Sequence, residues 1–213
     1  MKKIKNYCSV SVVQKLSIAM ATVILFLSSG IAYAQHAFNL TFRPAANFPV
    51  KDLGETRLNA GGGFETTLSY RFLSHIDIYA GWGWNMFSQK ESAAGLKNEF
   101  NETGYKFGFH FIHPLSAESK LNFMIGGGGI YNHIETENEE GDIINDTGHG
   151  LGWECDAGLW IPVGHHNRWH LIPSVMYHEL SRDINMEEIN TTVDLNYFSI
   201  GLGVSWTLWS AAE

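Results

Sequence analysis

The chain has 213 residues, 45% of them hydrophobic and 13% aromatic, with 22 acidic against 14 basic side chains and a net charge of −8. An acidic balance of this kind argues against a nucleic-acid partner, whose phosphates call for a basic face. The two cysteines, Cys8 and Cys155, are too few for the disulfide framework that small exported domains often use.

The first residues read as an export signal. Lys2, Lys3, Lys5 and Lys15 precede an apolar run from Leu16 to Leu27, and Ala32-Tyr33-Ala34 stands before Gln35. A basic start, a short apolar stretch and a small-x-small site are the parts of a secretory signal peptide, with cleavage expected after Ala34. The run falls short of the ~20 apolar residues that a spanning helix needs. The expected organisation is therefore a leader over 1–34 and one domain over 35–213. Four of the 14 basic residues lie in the leader and every acidic residue lies beyond it, so the exported part is the more acidic. Cys8 leaves with the leader and has no lipobox leucine before it, so Cys155 stays without a partner. Stability then has to come from elsewhere, and a closed barrel supplies it by pairing every backbone group.

Past Gln35 the pattern has period two. Strands are expected over 36–44, 57–72, 76–88, 100–113, 120–133, 151–162, 168–180 and 193–209. In the third, Ile76, Ile78, Ala80, Trp82, Trp84 and Met86 share one face, with Asp77, Tyr79, Gly81, Gly83 and Asn85 on the other. The fifth sets Leu121, Phe123, Ile125, Gly127, Gly129 and Tyr131 opposite Asn122, Gly126, Gly128 and Asn132. The last is the cleanest: Phe198, Ile200, Leu202, Val204, Trp206 and Leu208 alternate with Ser199, Gly201, Gly203, Ser205 and Thr207. Short connectors (73–75, 114–119, 163–167) alternate with long polar ones (45–56, 89–99, 134–150, 181–192). Short turns on one side, long loops on the other and an even strand count describe a transmembrane β-barrel. A soluble sandwich is the competing architecture, but these strands exceed its usual five or six residues and their second face is polar or glycine. The fold class is thus all-β, an eight-stranded antiparallel transmembrane barrel.

If the apolar face meets lipid, aromatic rings should form two girdles at headgroup level. Trp82, Trp84, Trp153, Tyr131 and Tyr177 fall toward the long loops, and Phe72, Phe111, Trp169 and Trp206 toward the short turns. The opposite face carries Arg43, Glu65, Arg71, Asp77, Lys106, His110, Glu154, Asp156, His170 and His178. A charge at the bilayer midplane costs about 2–4 kcal/mol, so these groups belong in the lumen. Eight strands leave room for little more than side chains, so they must pair there. Arg71 with Asp77 is the expected pair near the short turns. Arg43 and Lys106 are expected to meet Glu65, Glu154 and Asp156. A packed ionic plug is the first reading. Gly61, Gly63, Gly83, Gly128 and Gly152 raise a second, a pocket open to the long-loop side, unless these glycines serve curvature or close approach.

Other chemistry is weakly supported. His178, Glu179 and Ser181, with Glu187 and Glu188 after them, contain the ingredients of acyl transfer but not a spacing that specifies it. His165, His166 and His170 lack the spacing of a compact zinc site. The run Glu135, Glu137, Glu139, Glu140, Asp142 and Asp146 lacks EF-hand spacing and reads as a solvated loop. The sequence therefore assigns no catalytic residue, no cofactor-binding residue and no metal ligand. Pro173 would remove a ladder donor in mid-strand, and a bulge there would change which way His170 faces.

The leader, the strand count and the strand ending at Trp209 together resemble the small outer-membrane barrel families related to OmpX and the transmembrane domain of OmpA. The resemblance covers residues 36–209. It implies integral location in a bacterial outer membrane, contact with its lipid and lipopolysaccharide, and insertion by the barrel assembly machinery. That machinery reads a terminal aromatic, whereas Trp209 here is followed by Ser210-Ala211-Ala212-Glu213. The resemblance implies adhesion, membrane support, small-molecule passage or lipid modification without choosing among them. The leading expectation is a non-enzymatic barrel with four long loops facing a possible extracellular partner, ahead of a narrow pore or ligand-binding lumen and a lipid-modifying enzyme.

Overall fold

Alternating sequences become a barrel wall when each strand finds a partner on both sides. The computed structural model describes residues 36–54, 56–90, 98–164, 168–186 and 189–211, without the side chains of 183–191. The leader with its cleavage site, His165, His166, Glu187 and Glu188 lie outside the described residues. The strands are β1 (Ala37–Pro49), β2 (Gly61–Leu73), β3 (Ile76–Ser88), β4 (Glu99–Pro114), β5 (Asn122–Glu137), β6 (Ile143–Asp146), β7 (Gly150–Val163), β8 (Trp169–Met186) and β9 (Ile189–Ser210). All pairings are antiparallel. β1 pairs with both β2 and β9, and β4 with both β3 and β5, so eight strands close on themselves while the short β6 lies against the end of β5. Closure removes the free edges that an open sheet would expose.

The wall is polarised opposite to a water-soluble protein. Outside, Leu40, Phe42, Ile78, Phe107, Phe109, Ile125, Ile200 and Leu202 are exposed; inside, Asn39, Arg43, Asp77, Lys106, Glu154 and Ser205 are buried. Apolar groups outward and charged groups inward fit hydrocarbon as the surrounding solvent. The faces expected for β3 and β9 are those observed.

Strand boundaries differ from expectation: β1, β8 and β9 run longer, β2 starts at Gly61 and not at residue 57, and the connector 134–150 holds the end of β5 and all of β6. β1 does not stop at Pro44 but runs on to Pro49. Its ladder to β9 omits the pairs at Arg43 and Pro44, yet Phe42↔Val204 and Ala45↔Gly201 keep one register. Pro173 likewise introduces no bulge. The β7–β8 ladder passes from Gly158↔Ser174 to Ile161↔Leu171 without slipping, so His170, Ile172 and Ser174 remain on the inner face. Proline here costs hydrogen bonds and not register. Of the expected fourth loop, 181–192, residues 181–186 and 189–192 are instead strand. β8 pairs with β7 only as far as Glu179, and β9 with β1 only as far as Tyr197; beyond that β8 and β9 pair with each other up to Met186↔Ile189. The seven residues from Leu180 to Met186 make an arm of about 24 Å at ~3.4 Å per residue.

Two apolar clusters fill opposite ends of the interior. At the long-loop end, Leu53, Leu58, Phe87, Phe100, Ile130, Ile134, Leu180, Val193, Leu195 and Tyr197 pack together. At the short-turn end the cluster is Ile112, Met124, Trp160 and Ile172.

Candidate functional site

The interior is a layer of charge between these two caps. Arg43 on β1 stands 3.0 Å from Glu65 on β2, its register partner. Lys106 on β4 reaches Glu65 and, at 2.9 Å, Glu154 on β7. Arg43 also donates to Ser174 Oγ at 2.8 Å and approaches Met176 Sδ at 3.0 Å. Tyr79 donates to Glu154 at 2.7 Å, and His178 Nδ1 lies 3.6 Å from the same carboxylate. His110 faces Asp156 at 3.5 Å and stacks on Tyr79. Nearer the short turns, Arg71 grips Asp77 through two bonds of 2.7 and 3.2 Å, with its guanidinium over the Trp160 ring. Of the seven charged residues expected in the lumen, Arg43, Glu65, Lys106 and Glu154 form one ion-paired group and Arg71 with Asp77 another, while Asp156, expected to meet Arg43 or Lys106, instead faces His110.

The layer also holds residues that sequence reasoning passed over. Glu102 is fully buried and accepts from Asn132 at 2.7 Å, Tyr197 at 2.5 Å and Asn85 at 3.3 Å. Neutral donors satisfy this carboxylate, which a buried acid requires when no cation reaches it. The signal was present, because Glu102 shares the inward parity of Lys106 and His110 on β4. Trp160 was passed over as well, although 160 has the inward parity of Glu154 and Asp156, and its ring is buried inside.

Among the described residues the pocket expected on the long-loop side is filled. Residues 50–54 and 56–60 fold over the mouth, where Leu53 and Thr56 exchange backbone bonds of 2.8 and 3.0 Å and Leu58 bridges Gln89. Their two leucines enter the upper cap. Of the inward glycines, Gly61, Gly63, Gly128 and Gly152 admit close neighbours, and only Gly83 would accept a Cβ in ordinary contact. A Cβ on Gly128 would lie 2.8 Å from Tyr79 Oη, one on Gly61 2.9 Å from the Phe87 ring, and one on Gly152 2.9 Å from Ile130. Among the described residues there is a cavity of about 30 Å³ lined by Arg43, Glu65, Lys106, Asp156 and Met176, and another of about 10 Å³ above it near His178. Such volumes hold a water or two.

Of the five girdle tryptophans, Trp82, Trp153, Trp169 and Trp206 are exposed and Trp84 is half-buried on the same face. Trp82 and Trp84 contact Phe64, and Trp153 contacts Tyr177, toward the long loops. Trp169 stacks on Trp206 at 5.8 Å toward the short turns. Cys155 is exposed on the outer face.

The acyl-transfer ingredients are separated by the wall. His178 is buried inside against Tyr197, with ring centroids 4.6 Å apart, whereas Ser181 is exposed and bonds Asp194 at 2.6 Å. His170 is half-buried inside, against Trp160. On the long-loop rim the hydrogen bond from His133, joined by the Gly148 N–H, holds the Asp146 carboxyl below the usual carboxylate range.

No family model and no curated protein matches the chain. Solved structures do. Neisserial surface protein A aligns with a TM-score of 0.53 at 12% identity, over 80% of this chain and 97% of its own. Outer membrane protein OprG of Pseudomonas aeruginosa gives 0.52 at 14%, over 81% and 98%. Outer membrane protein AlkL, solved in lipid bilayers, gives 0.50 at 15%, over 86% and 95%. At these identities the likeness is one of fold: the chain has the fold of the small eight-stranded outer-membrane β-barrels.

Proposed function

We propose that the protein is a non-enzymatic barrel integral to a bacterial outer membrane, closed to solute flow, whose work lies in its projecting hairpins on the long-loop side. The observation that carries this reading is the filled interior. Among the described residues an apolar cap, an ion-paired layer and a second apolar cap lie in series, with cavities of about 30 and 10 Å³ in the layer. An ion would have to cross both caps unhydrated, and burial of a charge without partners is costly. The parts left to meet an outside partner are the β8–β9 arm and the β5–β6 hairpin. The latter presents Ile143 and Ile144, both more than half exposed, beside Glu140 and Asp142. The alternation of the wall supports contact with lipid and lipopolysaccharide, and the barrel assembly machinery would insert it. The test is planar-bilayer recording on the purified full chain. No steady conductance above the bare membrane is expected; reproducible ohmic steps would overturn the closed-barrel reading.

A further inference from the structure

The β5–β6 hairpin assembles something its sequence does not display. His133 and Glu135 follow Tyr131 on the outward parity of β5, and Asp146 on β6 is the register partner of Glu135. Pairing across the hairpin therefore brings together three side chains from positions up to 13 residues apart. His133 Nδ1 lies 2.9 Å from Asp146 Oδ1 and 3.9 Å from Glu135 Oε1, and one ligating atom from each of the three falls within 4.8 Å of the others. Metal–nitrogen and metal–oxygen bonds of about 2.0–2.2 Å place neighbouring ligand atoms roughly 3–4 Å apart, so the three atoms already have the spacing of one face of a coordination shell.

The site is held in shape from outside it. The His133 side chain is 11% exposed, and its ring is stacked by His149 at 4.2 Å and 16°. His149 in turn packs on Tyr131, with ring centroids 5.2 Å apart. The same Asp146 oxygen that faces His133 accepts the Gly148 N–H at 2.8 Å, in a turn that needs the positive φ of Gly148. A merely solvated acidic loop would not fix an imidazole between two carboxylates with an aromatic ring laid over it. Contacts of this sort, made to the ligand side chains from behind, orient ligands at metal sites.

We propose that His133, Glu135 and Asp146 bind a divalent transition-metal ion of the zinc class, through His133 Nδ1 and one oxygen of each carboxylate, with water completing the shell. The imidazole selects this class over calcium or magnesium, which take six or more oxygen ligands. Binding displaces the proton between His133 and Asp146. It also ties β6 to β5 next to the register shift at Thr136/Glu137, where the ladder is irregular. His149 acts as a positioning residue. The inference stands apart from whether the barrel conducts or what its hairpins meet.

The experiment is calorimetric titration of Zn²⁺ into the full chain, purified from outer membranes in detergent and stripped with chelator. One ion per chain is expected to bind saturably. His133→Ala and Asp146→Asn should each abolish it, and His149→Ala should weaken it about tenfold. Each variant must keep the heat-dependent gel mobility of a folded barrel. His75 and His113, whose rings lie 4.7 Å apart at the short-turn end, are the control, and the double variant His75→Ala/His113→Ala should bind as the parent does. Absence of saturable binding would overturn the proposal, as would binding that survives His133→Ala, is lost in the His75/His113 variant, or is displaced by equimolar Ca²⁺.

Discussion

Replacing Lys106 with methionine removes the one side chain that bridges two carboxylates on opposite sides of the lumen. Its ammonium contacts Glu65 and Glu154, whose side chains are 15% and 0% exposed. At an effective dielectric near 20, the 2.9 Å contact with Glu154 alone is worth about 6 kcal/mol before desolvation is counted. In the variant that desolvation persists for both acids while the compensation goes. Glu65 keeps Arg43, and Glu154 keeps only the Tyr79 hydroxyl and the nearby His178. Removing one partner of a buried pair costs about 3–5 kcal/mol. With a urea slope near 2 kcal/mol per molar, a loss of ~3 kcal/mol lowers the unfolding midpoint by roughly 1.5 M. The assay is urea unfolding in lipid vesicles, read by tryptophan fluorescence and by gel mobility without heating. Adding Glu154→Gln to Lys106→Met removes the stranded charge and should restore about 1–3 kcal/mol, the usual size of coupling between contacting residues. A single variant within about 0.3 M of the parent, or a double variant that is no better than the single one, would refute the ion-paired layer as described.

Two further outcomes follow from packing. Gly128→Val should cost about 1–3 kcal/mol in the same unfolding assay, because its Cβ would run into the Phe107 carbonyl oxygen, with Gly108 Cα and Tyr79 Oη both at 2.8 Å, whereas Gly83→Ala, with nothing nearer than 3.6 Å, should be neutral; equal effects would mean that the close approach at Gly128 is not a constraint. Cys155, exposed on the outer wall in register with Gly127 and Tyr177, should resist a membrane-impermeant maleimide in the bilayer and react once unfolded in urea; rapid labelling of the folded protein would place that face in water.

The barrel was legible because its cause is local. Period-two alternation states which side chain faces which way, and closure follows once every strand has a polar and an apolar side. The pairs Arg71–Asp77 and Arg43–Glu65 were legible on the same ground, since each joins register neighbours on adjacent strands. What sequence concealed depends on contacts between distant segments. Leu53 sits in a stretch that reads as a polar connector and Leu58 in one that reads as the start of a strand, and only the fold shows both turning into the mouth. The inward glycines were ambiguous because a missing side chain signals a space or a close neighbour equally well, and Tyr79 over Gly128 decides for the neighbour. The His133–Asp146 contact was hidden by separation, because the bulged pairing of β6 on β5 creates it.

The central claim is that the wall's apolar face touches acyl chains while the other face is enclosed, and tryptophan reports both sides. Trp206 is 41% exposed on the outside and Trp160 is 6% exposed within. Variants retaining only one of these tryptophans, reconstituted in vesicles with bromine-labelled acyl chains, should show strong quenching of Trp206 and little of Trp160. Equal quenching of the two, or quenching of Trp160 alone, would contradict the account.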